Sequence, residues 1–150
     1  MSEYSKWHTR FMEMAKMVAT WSKDPGTQVG SVLVKENRII STGYNGIPHG
    51  IDDEFALTCR DFKIKNTIHS EINAIKYATA DVRGSVLYCT QYPCSNCAKV
   101  IAESGIAVVY VLESSGEFKD RWDCVTSEAI LKAAHVPIVV ITLSPNHTGN

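Results

Sequence analysis

The sequence predicts a three-layer α/β/α sandwich around a five-stranded mixed sheet, mainly parallel, in one domain. Three observations carry this. From residue 85 onward, short apolar β-rich runs alternate with stretches of helical period, the order that builds βαβ units. Nearer the start, two β-rich runs flank the polar turn 35–38, which sets an antiparallel hairpin. The 150 residues have the length of a single domain, with no repeat or internal linker.

Residues 3–21 read as the first helix. Trp7, Phe11, Met14, Val18 and Trp21 recur at helical spacing and make one core-facing stripe. Lys23-Asp24-Pro25-Gly26 breaks that helix. Strands over 28–34 and 39–43 form the hairpin. Residues 43–50 hold three glycines and a proline, either an ordinary loop or a ligand loop. Residues 51–66 carry Asp52, Asp53, Glu54, Arg60, Lys63 and Lys65 without a clear period, and read as an irregular loop, functional or merely solvated. A helix follows over 67–80, with Thr67 as its cap and Ile68, Ile72 and Ile75 on one face. After the turn 82–84 comes a strand, 85–90. Pro93 introduces a helix over 94–104, closed by Gly105. Residues 106–112 are an almost continuous apolar strand, as expected when both faces are covered. A polar loop (113–123), a helix (126–134) and a strand (137–143) complete the domain. The last two strands are expected to be parallel, because the helix between them leaves room for a crossover. Residues 144–150 read as a loose tail.

Composition narrows the function. Fifteen basic residues face sixteen acidic ones, for a net charge of −1, which argues against a general polyanion binder. A domain this size buries roughly 70% of its unfolded surface and folds without disulfides. Five cysteines, two of them in Cys94-Ser95-Asn96-Cys97, point to intracellular metal binding rather than a disulfide framework. The absence of a long apolar run or signal-peptide core predicts a soluble cytoplasmic protein without a membrane span.

The chemistry concentrates in His69-Ser70-Glu71 and Pro93-Cys94-Ser95-Asn96-Cys97. One imidazole and two thiolates suit Zn²⁺, and three protein ligands leave a fourth tetrahedral position for water. A helix N-terminus stabilises the thiolates of Cys94 and Cys97. His69 and Glu71 are two apart, so they point in different directions: His69 to the metal, Glu71 to the protons of a water beside it. A closed structural site with Cys59 or Cys89 as fourth ligand is the alternative, and the offset of Glu71 weighs against it. Cys59, Cys89 and Cys124 otherwise read as small apolar residues or incidental thiols.

His-x-Glu with Pro-Cys-x-x-Cys is also a known signature of zinc nucleobase deaminases. With Asp24-Pro25-Gly26-Thr27-Gln28-Val29-Gly30, Gly43-Tyr44-Asn45-Gly46-Ile47-Pro48-His49-Gly50 and Ala98-Lys99 after the second cysteine, the chain resembles the cytidine-deaminase-like superfamily over about residues 7–142. Within it, the Gly-Tyr-Asn-Gly-x-Pro loop resembles deoxycytidylate (dCMP) deaminases. The resemblance implies zinc on His69, Cys94 and Cys97, and Glu71 as the proton carrier in converting dCMP to dUMP and ammonia, which supplies dUMP for thymidylate synthesis. It implies that the backbone N–H of Ser70, where Ala is commoner in the family, holds the pyrimidine O2. Carbonyls near Gln91 and Tyr92 would face the exocyclic amine. Thr27 and Asn45 are expected to bind substrate, Asn45 through the sugar hydroxyl. The 5′-phosphate is expected at Lys63, Lys65, Asn66, Thr67 and Ser115, with Lys119 and Arg121 as weaker candidates. Gly43, Tyr44, Asn45 and Gly46 are expected to take a regulatory triphosphate, dCTP activating and dTTP inhibiting, which would bring Mg²⁺. The resemblance further implies a homo-oligomer (a hexamer). Some family members carry a second, structural zinc, for which His8, His49 and Cys59 form no matching pattern, so one zinc is expected. Near-zero net charge without a basic tail disfavours a nucleic-acid partner, and no membrane partner is expected. A nucleic-acid deaminase of the same superfamily and a non-catalytic zinc domain are the competing readings.

Overall fold

The computed structural model describes residues 3–112 and 122–143. Ser115, Lys119, Arg121, most of the 113–123 loop and the 144–150 tail lie outside them. The elements are α1 (Glu3–Ala19), β1 (Gly30–Lys35), β2 (Arg38–Tyr44), α2 (Asp53–Thr58), α3 (Arg60–Asn66), α4 (Ser70–Lys76), β3 (Val86–Cys89), α5 (Ser95–Glu103), β4 (Val108–Leu112), α6 (Trp122–Ala133) and β5 (Ile138–Ile141). The five strands make one sheet in the order β2-β1-β3-β4-β5.

The hairpin forms as expected, with Lys35 opposite Arg38. Its two turn residues, Glu36 and Asn37, have φ of 54° and 61°. Positive φ at both positions matches the right-handed twist of the flanking strands. The last two strands are parallel, as their crossover predicts. Parallel pairing does not predominate, however. β1 is antiparallel to both β2 and β3, and only β3–β4 and β4–β5 are parallel. The reason is the passage from β2 through α2, α3 and α4, which crosses over β1 and returns a strand running with β2.

Alternation along the strands builds two cores. Val32, Val34, Tyr88, Tyr110 and Leu112 face α1, against Phe11, Met12, Ala15 and Val18. Leu33, Leu87, Val109 and Val111 face the opposite layer, where Ala74 of α4, Ala98 and Ile101 of α5 and Leu131 of α6 cover them. The three layers are therefore present. Of the stripe expected on α1, Phe11 and Val18 are buried and Trp7 packs against the core, whereas Met14 is 38% and Trp21 50% exposed and Met12 and Ala15 are fully buried in addition. Small residues set the closest contact. Ala15 and Ala19 lie so close to β1 that a Cβ on Gly30 would collide with their backbone, so α1 approaches the sheet most closely at its alanines.

Residues 51–66 are not irregular. Asp52 caps α2 by accepting the Glu54 N–H at 3.1 Å, and Cys59 is both the end of α2 and the cap of α3. Thr67 does not cap α4. Its hydroxyl returns to the Lys63 carbonyl at 2.6 Å and closes α3, and His69 occupies the N-cap of α4 instead. α4 stops at Lys76, short of the expected residue 80. Gly105 ends α5 at φ 74°, as its position predicts. No helix among the described residues is long and apolar enough to cross a membrane.

Candidate active site

Two helix N-termini meet at the edge of the second core. His69 is the N-cap of α4 and Cys94 the N-cap of α5, with Cys97 in the first turn of α5. Both caps have extended backbone, so each side chain leaves its helix at the end rather than along a face. Nδ1 of His69 is 3.4 Å from the sulfur of Cys94 and 3.3 Å from that of Cys97. Zinc bonds of about 2.3 Å to sulfur and 2.0–2.1 Å to nitrogen would place tetrahedral S and N ligands about 3.6 Å apart. The three donors fit such an ion. They are also the one His/Cys/Asp/Glu cluster of ligand geometry among the described residues. Cys59 is exposed at the cap of α3, while Cys89 and Cys124 are buried, and none of them joins.

The thiols already share charge. Cys94 is held down to about 4, first by its hydrogen bond with Cys97 and then by His69, against the opposing effect of burial. The same bond and burial push Cys97 up. His69 is raised, chiefly by the hydrogen bond with Cys94. Glu71, one position into the first turn of α4, is 4% exposed. Burial pushes its carboxyl up, and its own backbone N–H, His69 and the Ser70 hydroxyl pull it back in part. A carboxyl raised in this way suits general acid–base work near neutral pH.

His69, Cys94 and Glu71 line a cavity of about 460 Å³, and Cys97 lies behind them, buried. That size is within the usual range for small-ligand sites. Its other walls are the 24–29 segment, Asn45, α3 and Gln91-Tyr92. From α3 the cavity receives Arg60, Lys63, Ile64 and Thr67, spaced i, i+3, i+4 and i+7 on one helical face and its end. Of the residues expected at the phosphate, Lys63 and Thr67 are therefore in the cavity, and so is Thr27. Lys65 and Asn66 do not line it, and the Asn66 amide bonds the Phe62 carbonyl at 2.9 Å. Arg60, given no site role from sequence, does line it. Its signal was the i, i+3, i+7 spacing to Lys63 and Thr67, legible only once 60–66 is known to be helical. Asp24 ties this wall together: its Oδ1 accepts the N–H groups of Gly26 (2.8 Å) and Thr27 (3.1 Å) and meets Lys63 Nζ at 3.2 Å.

Asn45 is committed to backbone. Its Oδ1 accepts from Val29 N–H at 2.9 Å and its amide donates to the Thr27 carbonyl at 2.8 Å. It also separates the catalytic cavity from a second one of about 420 Å³ bordered by Gly43, Tyr44, Gly46 and the 47–51 segment. Gly46 and Ile68 exchange hydrogen bonds of 3.0 and 2.8 Å, which lash that loop to the residue before His69. The 43–50 stretch is thus part of the site's frame.

A soft-ligand cluster beside a buried acid, on this sheet and between these helices, has the donors and the proton carrier that metal-assisted hydrolysis needs. Residues 5–113 match the family described as the cytidine and deoxycytidylate deaminase zinc-binding region. A protein described as an uncharacterized deaminase in the luxG 3′ region of Aliivibrio fischeri is 48% identical over 118 residues, 79% of this chain and 80% of that protein. The deoxycytidylate deaminase of Mus musculus is 36% identical over 142 residues, covering 89% of this chain and 79% of its own length. The crystal structure of dCMP deaminase from the cyanophage S-TIM5 in complex with dCMP and dUMP superposes with a TM-score of 0.72 at 25% identity, over 94% of this chain and 99% of that one. The chain belongs to the cytidine and deoxycytidylate deaminase family.

Proposed function

We propose that this protein hydrolyses dCMP to dUMP and ammonia. The observation that carries the reading is one cavity lined both by Glu71 with His69 and Cys94 of the ligand cluster and by a cationic helix face, Arg60 and Lys63. The cluster suits a reacting pyrimidine and the cations suit its 5′-phosphate. The relatives named for deoxycytidylate support the same substrate.

A zinc ion held by His69, Cys94 and Cys97 supplies a Lewis acid that brings the pKa of water towards about 7. Glu71 accepts one proton as water adds to C4 and passes it to N3. The same carboxylate then moves the second proton from the new C4 hydroxyl to N4. The C4–N4 bond breaks, ammonia leaves, and the water oxygen stays as the O4 carbonyl. The Ser70 N–H, free at the first turn of α4, binds O2, and Gln91 and Tyr92 carbonyls face the amine. Thr27 and Thr67 border the sugar and phosphate.

The second cavity, at Gly43, Tyr44, Asn45 and Gly46, is the place for a regulatory triphosphate with Mg²⁺, dCTP activating and dTTP inhibiting. The exposed Met17, Trp21, Tyr44 and Tyr77 offer apolar surface that subunits of a homo-oligomer, a hexamer, would cover. A cytoplasmic enzyme feeding thymidylate synthesis fits this chemistry.

Ammonia release from dCMP, deoxycytidine and a cytosine-containing oligonucleotide, with dCTP or dTTP added, tests the reading. Turnover is expected with dCMP and to respond to both effectors. An inert dCMP beside a reactive oligonucleotide would overturn it in favour of a nucleic-acid deaminase.

A further inference from the structure

The hydroxyl of Ser70 had no role legible in the sequence. In the fold it is fully buried, and so is Ser31 of β1. The two hydroxyl oxygens are 2.7 Å apart, and Ser70 Oγ lies 3.0 Å from Glu71 Oε1, to which it donates. A hydroxyl has one hydrogen. Ser70 spends its hydrogen on Glu71, so Ser31 must be the donor in the Ser31–Ser70 bond. The chain of bonds therefore runs one way, from β1 through α4 to the carboxylate.

The surroundings hold this direction. Ser31 pairs across the sheet with Cys89, whose thiol is also fully buried and 3.8 Å from Ser70 Oγ. Burial pushes that thiol up to about 12, so it stays neutral at physiological pH and offers no competing charge. Glu71 Oε1 is engaged by this relay, and Oε2 has no side-chain partner among the described residues. With Oε1 held by this side-chain bond, and with Glu71's own backbone N–H also on the carboxyl, the torsions of the buried carboxylate are restricted.

We propose that Ser31 and Ser70 are positioning residues for Glu71. They pin the carboxylate through Oε1, so that Oε2 is the oxygen that carries protons between water and base. This rests on the deaminase reading above. It concerns the aim of Glu71 rather than substrate binding or metal retention, and that distinction is measurable.

Ser70→Ala is expected to lower kcat about tenfold, the scale of one hydrogen bond to a charged group, with KM and zinc content unchanged. Ser31→Ala should lower kcat less, and should add nothing in the Ser70→Ala background, because Ser31 acts only through Ser70. An unchanged kcat, additive losses, or a loss that follows zinc would overturn the relay. Crystals of zinc-loaded Ser70→Ala give a readout that needs no turnover: the Glu71 carboxylate should occupy more than one rotamer. A single, unmoved rotamer would overturn the proposal. If wild-type protein leaves dCMP untouched, the substrate reading fails, and the Glu71 rotamer still decides the relay.

Discussion

Asp123 grips Ser95 twice, accepting its backbone N–H at 2.9 Å through Oδ2 and its hydroxyl at 2.7 Å through Oδ1. Ser95 is the first residue of α5 and follows Cys94 directly. One carboxylate from α6 therefore fixes the turn that aims both thiolates, and its charge favours the positive end of the helix. Partners that orient metal ligands in this way are worth about 10- to 100-fold in metal affinity. Asp123→Ala should weaken zinc retention by that factor in competition with a chelator. Unaltered competition would make the contact a packing detail.

Glu71 is buried against the cluster but contributes no ligand atom to it. Glu71→Gln keeps the shape and the ability to accept the Ser70 bond while losing the proton carrier. Zinc content by atomic emission should stay at one ion per chain, and turnover should fall by about 10²- to 10⁴-fold. Metal lost together with activity would assign Glu71 a structural task instead.

Lys63 is paired with Asp24 at 3.2 Å, which spends part of its charge within the cavity wall. No such ion pair engages Arg60 among the described residues. A guanidinium is also the better fork for a phosphate. Arg60→Ala should raise KM for dCMP about tenfold and leave deoxycytidine, which lacks the phosphate, unaffected. Equal losses on both substrates would place the phosphate elsewhere.

The His69–Cys94–Cys97 cluster was legible because each half is a local pattern: a His two before a Glu, two Cys three apart, both at helix starts. The hairpin and the parallel strands were legible for the same reason. α2 and α3 were not. α3 buries no residue, and Phe55 and Phe62 pack on each other at 5.2 Å, so neither helix shows an apolar stripe facing the core. Without α3, the face that joins Arg60 to Lys63 and Thr67 does not exist in the sequence. Ser31 and Ser70 are 39 positions apart, and only the packing of α4 on β1 brings them together. The α1 stripe was right at Trp7, Phe11 and Val18 but ran through Met14 and Trp21, where the close approach of α1 to β1 at Ala15 and Ala19 buries Met12 and Ala15 instead.

Asp24 gives the acid side of the stability profile a specific source. Burial alone would push its carboxyl up, but the N–H groups of Gly26 and Thr27 and the Lys63 ammonium outweigh it and hold the pKa below the ordinary value. The unfolded chain thus binds this proton more readily than the folded one, and stability rises with pH across the interval between the two values. The contribution is complete above the unfolded Asp value of about 3.9 and is lost as pH falls through the lower folded value. Urea midpoints measured between pH 2.5 and 6 should fall less steeply with acid for Asp24→Asn than for wild type. Parallel curves would remove Asp24 as the source.

Gly43 and Gly46 belong to the same expected effector loop, but the fold treats them differently. A Cβ on Gly43 would collide with the Ala74 N–H and the Ser70 carbonyl, so β2 and α4 touch there through backbone alone. A Cβ on Gly46 would meet nothing within 4 Å. Gly43→Ala must push α4 off the sheet, with Ser70 and Glu71 on it, at about 1–3 kcal/mol for overpacking. It should lower both the urea midpoint and kcat without any effector present. Gly46→Ala should keep wild-type stability and basal turnover, and crowd only what enters the second cavity. Weakened response to dCTP and dTTP in Gly46→Ala, at unchanged stability, would therefore place the triphosphate there. A full response in that variant would move the regulatory site away from this loop.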